Sequence, residues 1–441
     1  MPEETRMNPT RLLRPIRRLL AALLAAAAAA VAGPAAAASG PDRIDNELLV
    51  KLRRGADLQA LLAKHPLALA SRFGARPIFR LTVTGNARPA DVLDALRLEP
   101  TVMVAETNSR QASPEARKNM AWAIGQPDAY AAQWAPAALR LSAAQRLATG
   151  RGVRVAVLDT GVDGRHPALS GRMLPGRDFV DGDRNAGEPA VTNGAAWGHG
   201  THVAGLIALV APNARIMPGR VLDPDGVGNS WVLAEALLWA ADPDGNPDTD
   251  DGADVINMSL GTLARTDVLD AIARIAACQP AVAGDPVGDR SDPGYADDER
   301  RCAARRGAVL VAAAGNDASR VRQYPAAEGV YGLVSVGASR PNGSIAAFSN
   351  FGSWVRLAAP GQRITSTLPG GLWGTWSGTS MAAPLVAGTA ALVRERAPTL
   401  QPKEVVQRMR RATAPSCDDL LPLLDAHAAV AGVRAPDRVC P

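Results

Sequence analysis

The sequence predicts an α/β fold, a mostly parallel sheet with helices on both faces, preceded by a small α+β domain. Short apolar runs rich in valine suit buried strands of a parallel sheet, and they span 153–158, 255–258, 309–312 and 333–336. Helical stretches at 230–241 and 267–277 lie between them, and this alternation is typical of α/β folds. Functional sites in such folds form beyond the carboxyl ends of the strands.

The small front domain is predicted over residues 44–107. Its expected strands are 48–52, 79–83 and 102–105, and its expected helices are 57–63 and 89–98. Asp57 is a candidate N-cap for the first helix. Strand–helix–strand–helix–strand is an α+β order. Residues 108–118 are polar and aperiodic, which predicts an exposed linker of the kind that proteases cut.

The first 38 residues predict a secretory signal. Four arginines from Arg11 to Arg18 precede an apolar run, 19–32, that is too short to span about 30 Å of hydrocarbon as a helix. Ala36-Ala37-Ala38 then offers a cleavage site of small residues. An uncleaved membrane anchor is the alternative. The expected domains are therefore a signal at 1–38, a front segment at 39–118 and a main domain at 119–441.

The distribution of charge argues against a nucleic-acid partner. The 441 residues carry a net charge of +5, but residues 1–38 hold +3 and residues 39–118 hold +4, which leaves −2 for the main domain. No basic stripe remains there to neutralise phosphates. A share of 47% apolar and 21% charged residues is ordinary for a globular protein. We expect a monomer.

The four cysteines predict two disulfides. Cys278, Cys302, Cys417 and Cys440 are even in number, and no pair has zinc-site spacing. Export would favour disulfides over free thiols. Three connectivities are possible, and the sequential one closes the shortest loops. We predict the pairs Cys278–Cys302 and Cys417–Cys440, each tying down a loop-like stretch.

Three motifs place reactive side chains at strand ends or helix starts. Asp159-Thr160-Gly161 directly follows the first strand of the main domain, while His199-Gly200-Thr201-His202 and Gly378-Thr379-Ser380 each open a helix. A serine hydroxyl is a weak nucleophile unless a base accepts its proton, which a histidine does near neutral pH. A buried carboxylate fixes the tautomer of that histidine. Each motif alone also fits a turn or a helix cap, so the inference needs all three.

With their flanks, these motifs resemble the three signatures of the subtilisin-like serine protease (subtilase) family. The matching segments are 155–163, 199–205 and 378–384, and 257–261 and 313–316 resemble two further motifs, so that the resemblance runs from about Trp134 to Val430. It implies a subtilisin-like fold and a serine endopeptidase that works through an acyl-enzyme. It also implies that Asp159, His199 and Ser380 form the catalytic triad. Asn316 would donate its side-chain amide to the oxyanion, and His202 would be structural.

The same resemblance indicates where a peptide substrate would bind. The residues expected to line it are Ser259, Leu260, Gly261, Gly228, Ala314 and Gly315. Binding of an extended peptide by strand addition recognises main chain more than side chains, which implies broad specificity. The small residues Ala313, Ala314 and Gly315 suggest an open pocket for an apolar or aromatic side chain before the cut. Protein or peptide substrates are the expected partners.

The front domain, ending in 104–108, resembles the inhibitory propeptide of the family. The resemblance implies a zymogen whose own propeptide guides folding, blocks the cleft as an inhibitor and is then removed by self-processing.

The chemistry needs no cofactor, and calcium is expected only as a structural ion. The chain lacks, between Val203 and Ile216, the loop that holds a strong calcium site in many relatives. The acidic loop 242–251 is a different candidate, with Asp244, Asp248 and Asp250 as ligands. A solvated acidic turn is the alternative there, because the loop lacks a suitably placed bidentate glutamate.

Two other functions compete with this interpretation. The segment 378–382 resembles a variant nucleophile elbow of esterases, which would require a preceding strand and a downstream acid and histidine. Residues 369–378 are glycine-rich and not strand-like, and only His427 follows, so we reject an esterase. A protease-like binding domain without activity is the second rival. It would be expected to lack a triad or oxyanion residue, and all four are present.

Overall fold

The computed structural model describes residues 42–115, 123–190, 194–279, 292–304, 306–437 and 440. The predicted signal, 1–38, lies outside the described residues. Among the described residues, no helix combines the length and the apolar run needed to cross a membrane.

The front domain is an antiparallel sheet with two helices. Its elements are β1 (Arg43–Leu52), α1 (Leu58–Lys64), β2 (Leu67–Arg72), β3 (Ile78–Val83), α2 (Pro89–Arg97) and β4 (Val102–Ala112). The strands lie in the order β2-β3-β1-β4. Asp57 caps α1 as predicted, because its Oδ1 accepts from the Gln59 N–H at 2.8 Å. Strand β2 was not predicted, because it is an edge strand in which only Leu67 is buried.

The prediction of an exposed linker at 108–118 is wrong for its first part. Residues 108–112 continue β4, and Asn108, Gln111, Ser113 and Glu115 are all buried. The side chains of Asn108, Gln111 and Glu115 find partners in the main domain. Residues 116–118 lie outside the described residues.

The main domain is built on a parallel sheet, as predicted. Its strands are β5 (Ala123–Ile124), β6 (Arg154–Asp159), β7 (Arg177–Asp178), β8 (Arg215–Arg220), β9 (Val227–Asn229), β10 (Val255–Met258), β11 (Val309–Ala313), β12 (Leu333–Ser339), β13 (Leu357–Pro360), β14 (Ile364–Leu368), β15 (Leu372–Trp376), β16 (Thr413–Pro415) and β17 (Pro422–Leu424). Nine of them follow the order β16-β17-β13-β12-β11-β10-β6-β8-β7. All neighbours in this described sheet are parallel except β16 and β17.

Helices cover both faces of this sheet. They are α3 (Pro127–Ala132), α4 (Trp134–Ala138), α5 (Leu141–Gln145), α6 (His199–Val210), α7 (Ser230–Ala241), α8 (Asp267–Ala276), α9 (Tyr295–Ala304), α10 (Thr379–Arg396), α11 (Pro402–Arg411) and α12 (Ala426–Ala431). Alternate side chains of β6 show the two faces: Val155 and Val157 join one apolar cluster, with α6 and α10, and Ala156 and Leu158 join another, with α7 and α8. Parallel strands buried on both faces explain the continuous apolar runs.

The front sheet packs on the second of these clusters. In β1, Leu48 and Val50 point into the front domain's own core, whereas Leu49 belongs to the cluster around α7 and α8. The edge of the front sheet is also extended, because β4 pairs antiparallel with β9 of the main domain.

Both predicted disulfides are present, Cys278–Cys302 and Cys417–Cys440. The stretch inside the first pair is not only loop, because it contains α9. Its three acidic residues followed by two arginines carry no apolar periodicity that would have predicted a helix.

Candidate active site

The fold brings the four predicted catalytic residues to one edge of the parallel sheet. Asp159 is the last residue of β6, His199 is the first of α6, Ser380 is the second of α10, and Asn316 follows β11. Strand carboxyl ends and helix amino ends meet at this edge in parallel α/β folds. The free N–H groups at the start of α10 favour a negative oxygen there.

Asp159 and His199 form a fully buried pair. His199 Nδ1 lies 2.7 Å from Asp159 Oδ1, and both side chains have 0% exposure. Gly200 permits this approach, since a Cβ on it would lie 2.1 Å from the carbonyl oxygen of Gly161 and 3.1 Å from the Asp159 Cβ. A carboxylate on Nδ1 leaves Nε2 as the nitrogen that can take a proton from substrate-side groups.

Ser380 and His199 meet on the carboxylate of Glu115, a residue that was not among the predicted site residues. Ser380 Oγ donates to Glu115 Oε2 at 2.5 Å, and His199 Nε2 lies 3.1 Å from the same oxygen. One oxygen therefore stands between the hydroxyl and the imidazole. Nothing in the sequence separated Glu115 from the eight other carboxylates of residues 39–118.

The second oxygen of Glu115 lies in the pocket predicted for the oxyanion. Asn316 Nδ2 donates to Glu115 Oε1 at 2.8 Å. Asn316 Oδ1 accepts from the N–H and Oγ1 of Thr379, at 2.9 and 3.0 Å, which points the amide nitrogen into the pocket. Gly378 forms the opposite wall, since a Cβ there would lie 1.7 Å from Glu115 Oε1.

The charges of this cluster stabilise one another. Burial lowers the pKa of His199, but the charge and hydrogen bond of Asp159, together with those of Glu115, outweigh it and raise that pKa to about 10. Burial raises the pKa of Glu115, but the hydrogen bond and charge of His199 and hydrogen bonds from Ser380 and Asn316 hold it below its ordinary value. The structure therefore favours a charged imidazolium against two carboxylates.

A second carboxylate that was not predicted, Glu188, connects the Asp159 and His199 motifs. Its Oε1 accepts from Thr160 Oγ1 at 2.9 Å and from the Gly198 N–H at 2.8 Å, and its Oε2 accepts from Thr201 Oγ1 at 3.0 Å. Thr160 directly follows Asp159, and Gly198 and Thr201 stand before and after His199. Burial and the charge of Asp159 raise the pKa of Glu188 to about 7, against the hydrogen bonds, which lower it.

The residues predicted to form the rims of the cleft are bonded to the front segment. The N–H groups and carbonyls of Gly261 and Ala112 bond to each other at 2.9 and 3.0 Å. Gly228 is the register partner of Gln111 in the β4–β9 pair. The Ser113 N–H donates to the Gly226 carbonyl at 3.0 Å. An extended chain thus lies between the two rims as an added strand.

The other four predicted substrate residues lie deeper. Ser259 bonds to Ser380, because its Oγ donates to the Ser380 carbonyl at 3.0 Å and its carbonyl accepts from Ser380 Oγ at 3.3 Å. Leu260 and Ala314 are fully buried. Gly315 faces Gln323, whose side chain lies 2.4 Å from the position of a Cβ, so that Gln323 fills the space beside the two small residues.

His202 lies one turn after His199 and away from Glu115. Its Nε2 is 3.1 Å from the Gly374 carbonyl oxygen, and its ring stacks on Trp376 with centroids 5.0 Å apart. Burial and the charge of His199 lower the pKa of His202 to about 3. A neutral, stacked imidazole fits the structural role predicted for it.

The acidic loop groups a different set of aspartates from the predicted one. Ligand atoms of Asp242, Asp244 and Asp251 lie within 4.8 Å of one another. Asp248 and Asp250 instead lie beside arginines, at 3.8 Å from Arg300 and 3.3 Å from Arg154.

The geometry also bears on the esterase alternative. A strand, β15, does precede the Ser380 motif, so the expectation that 369–378 is not strand-like is wrong. The rejection still holds, because the histidine bonded to the acid is the upstream His199, and His427 lies in α12. The glycine-rich composition gave no signal for the hairpin in which β15 pairs antiparallel with β14.

Comparisons with known proteins agree with this arrangement. The model of the subtilase family matches residues 150–432. A thermophilic serine proteinase of Bacillus sp. (strain AK1) is 35% identical over 326 residues, 71% of this chain and 68% of that protein. Thermitase of Thermoactinomyces vulgaris is 35% identical over 272 residues, 59% of this chain and 81% of that protein.

Solved structures agree as well. A cold-adapted subtilisin-like serine proteinase matches 63% of this chain and 90% of its own, with a TM-score of 0.51 and 31% identity. Fervidolysin from Fervidobacterium pennivorans, a keratinolytic enzyme related to subtilisin, matches 89% of this chain and 62% of its own, with a TM-score of 0.66. At 22% identity that second likeness concerns the fold alone. The family match covers well over half of the chain, and the chain therefore belongs to the subtilase family of serine peptidases.

Proposed function

We propose that this subtilase is a secreted endopeptidase made as a self-inhibited precursor, with Asp159, His199 and Ser380 as its triad and Asn316 as its oxyanion donor. One observation carries the proposal: a single carboxylate, that of Glu115, accepts hydrogen bonds from Ser380, His199 and Asn316 together. A nucleophile, a base and an oxyanion donor that converge on one anion can equally converge on one scissile carbonyl.

The mechanism follows from these positions once Glu115 has left. Ser380 Oγ attacks the substrate carbonyl carbon while His199 Nε2 takes the hydroxyl proton. Asp159 stabilises the imidazolium, and the new oxyanion accepts from Asn316 Nδ2 and the Ser380 N–H. Collapse breaks the C–N bond, His199 returns the proton to the leaving amine, and the acyl group stays on Ser380. Water then attacks the acyl carbon while His199 takes its proton, the C–O bond to Ser380 breaks, His199 returns the proton to Ser380 Oγ, and the second product leaves as a carboxylic acid.

The inhibitory role of the front segment rests on its main-chain bonds in the cleft. Residues 110–113 occupy the cleft as a substrate strand would. This pattern of main-chain bonds ends at Pro114, which has no N–H to donate. In place of a peptide carbonyl, the Glu115 side chain fills the oxyanion pocket. We propose residues 39–118 as the inhibitory propeptide and 119–441 as the mature peptidase. The same main-chain binding supports broad specificity.

Export and calcium binding are further parts of the proposal. The predicted signal at 1–38 and the two disulfides support an oxidising, extracellular or periplasmic destination. The cluster Asp242, Asp244 and Asp251 would hold a structural calcium ion. We expect the mature enzyme to act as a monomer on unfolded proteins.

A fluorophosphonate probe tests the proposal. The processed protein should be labelled on Ser380 and should digest an unfolded protein, and Ser380→Ala should do neither and should remain a full-length precursor. N-terminal sequencing of the secreted wild type should begin near residue 119. An unlabelled but folded processed form would instead support a binding domain.

A further inference from the structure

The disulfide-closed stretch Cys278–Cys302 touches the front domain with its charged side chains. Lys51 of β1 donates to Asp292, and Arg76 Nη2 donates to Asp298 Oδ2 at 2.7 Å. Gly294 also lies against Arg76, since a Cβ on it would be 3.3 Å from Nη2. Residues 280–291 of the stretch lie outside the described residues, so the contact surface is defined by residues 292–304.

Lys51 occupies an unusual place on the front sheet. It is the register partner of Ile78 and Val104, and these two belong, like Leu49, to the apolar cluster formed with α7 and α8. Lys51 is therefore a charged residue on the docking face, and its side chain is 0% exposed. A buried ammonium is costly unless an anion accepts from it. Among the described residues, Asp292 is the carboxylate that forms an ion pair with Lys51.

Helix α9 is also fixed to the main domain. Arg301 Nη2 donates to the Ile275 carbonyl at 2.6 Å, close to the end of α8, and the disulfide Cys278–Cys302 ties the same turn. The segment is thus attached to the peptidase through Arg301 and Cys302, and it offers Asp292, which precedes α9, and Asp298 to the front domain. The charges are complementary overall, because residues 39–118 carry +4 and residues 292–304 carry −2.

We propose that residues 292–304, closed by the disulfide, are a recognition surface for the chain's own front domain. It would make that domain bind this peptidase in preference to relatives that lack the acidic pair. This inference deepens the proposed function and rests on it. The apolar face of the sheet supplies contact with α7 and α8, as in the edge-to-face pair Phe73–Trp231 at 5.3 Å, and the charged pairs supply selectivity. A mismatched peptidase would have to bury Lys51 without a partner.

A charge swap in the full-length chain tests this surface. Arg76→Asp should weaken docking roughly tenfold or more, because it replaces a charge-assisted hydrogen bond with a repulsion. Asp298→Arg should weaken docking by a similar factor. The double variant should restore docking, because it re-forms the ion pair with the two charges exchanged. Arg88→Asp is the matched control, since it makes the same charge change on a front-domain side chain that is 77% exposed and paired with Asp91.

Hydrogen exchange in the Ser380→Ala background measures docking directly. The reporters are the amides of Ala112, Ser113 and Gly261, which bond across the two domains. We expect roughly tenfold faster exchange in each single variant, wild-type exchange in the control and recovery in the double variant. Unchanged exchange in Arg76→Asp, or no recovery in the double variant, would overturn the proposal. Fluorophosphonate labelling of Ser380-containing chains separately reports inhibition, so docking without inhibition would count against the proposed function alone.

Discussion

The Glu115 carboxylate accepts a hydrogen bond from the Ser380 hydroxyl at 2.5 Å. The hydroxyl proton is thereby directed to Glu115 of the front segment rather than to His199. The same carboxylate fills the pocket predicted for the oxyanion. The contact resembles the way a product carboxylate would sit after hydrolysis. In the proposed function, Glu115 is therefore the residue through which docking of the front segment inhibits the peptidase.

Glu115→Gln should weaken that inhibition. Hydrogen bonds to a charged group are worth about 1.5–3 kcal/mol, so Ser380 in the unprocessed chain should be labelled by a fluorophosphonate about 10- to 100-fold faster. Glu99→Gln is the matched control, because Glu99 also bonds a histidine, His65 at 2.8 Å, but within the front domain. Equal labelling of the two variants would show that the carboxylate contributes nothing.

Inhibition should also depend on pH, and more alkaline solution should relieve it. Against the effect of burial, the pKa of docked His199 is raised to about 10, first by Asp159, which stays beside it after undocking, and then by Glu115. Only the part due to Glu115 contributes to docking; it is complete below the undocked pKa and is lost as pH rises toward 10. The pKa of docked Glu115 is lowered, so its contribution is present above the ordinary value and is lost as pH falls below it. The labelling rate of the precursor, divided by that of the processed enzyme at the same pH, should therefore be lowest in mildly acid solution. A ratio that does not vary with pH would contradict this linkage.

Asn316→Leu should lower turnover by about 10²–10³-fold with little change in the Michaelis constant. That range belongs to subtilisin itself and is carried over by family membership. The amide acts where charge develops in the transition state, and leucine is similar in size. Because Asn316 Oδ1 also accepts from Thr379 at the start of α10, the thermal midpoint should be measured beside kcat. Unchanged turnover in a folded variant would remove Asn316 from the mechanism.

Glu188→Gln should make the loss of activity at acid pH depend on one protonation instead of two. The pKa of Glu188 is raised to about 7, so protonation of this carboxylate below that pH would weaken the bonds that connect Thr160, Gly198 and Thr201. In the wild type, activity should then fall with two protons, one on His199 and one on Glu188. In the variant it should fall with one, which is read from the slope of log(kcat/KM) against pH. A slope that stays the same would leave Glu188 with a structural role only.

Replacing both Cys417 and Cys440 by serine should destabilise the main domain. The bridge joins residues 23 apart in sequence, and the loop-entropy estimate for such a loop is about 3 kcal/mol. Urea unfolding of the Ser380→Ala chain, with and without the bridge, measures the difference without self-digestion. A midpoint that does not move would show that the tail is held by its other contacts.

The parallel sheet and the convergence of Asp159, His199 and Ser380 could be predicted because their signals are local. Runs such as 309–312 are apolar on both faces, and the reactive residues stand at strand ends or helix starts. The role of Glu115 could not be predicted, because it depends on partners far away in sequence. Residues 108–113 are polar and resemble a linker, yet Asn108 bonds to Asn229 and Gln111 to Ser230. Polarity there reflects hydrogen bonding to a neighbouring domain, which a single sequence does not distinguish from solvation.

The acidic loop shows a similar limit. Spacing alone favoured Asp244, Asp248 and Asp250, but a salt bridge with Arg154, about a hundred residues earlier in the chain, takes Asp250 away from that group. The turn then folds so that Asp242 and Asp251 approach Asp244. Distant pairing partners decided which carboxylates converge.

Gly378 places a limit on how this enzyme can evolve. The space where its Cβ would stand holds Glu115 Oε1, and in the proposed mechanism the same space receives the substrate's oxygen. A larger residue at 378 would displace both oxygens. A substitution there could therefore not speed maturation by weakening inhibition without also impairing catalysis. Substitutions that alter how strongly the precursor is inhibited should instead accumulate in residues 42–115 and on the main-domain surface that contacts them. The catalytic pocket should stay unaltered.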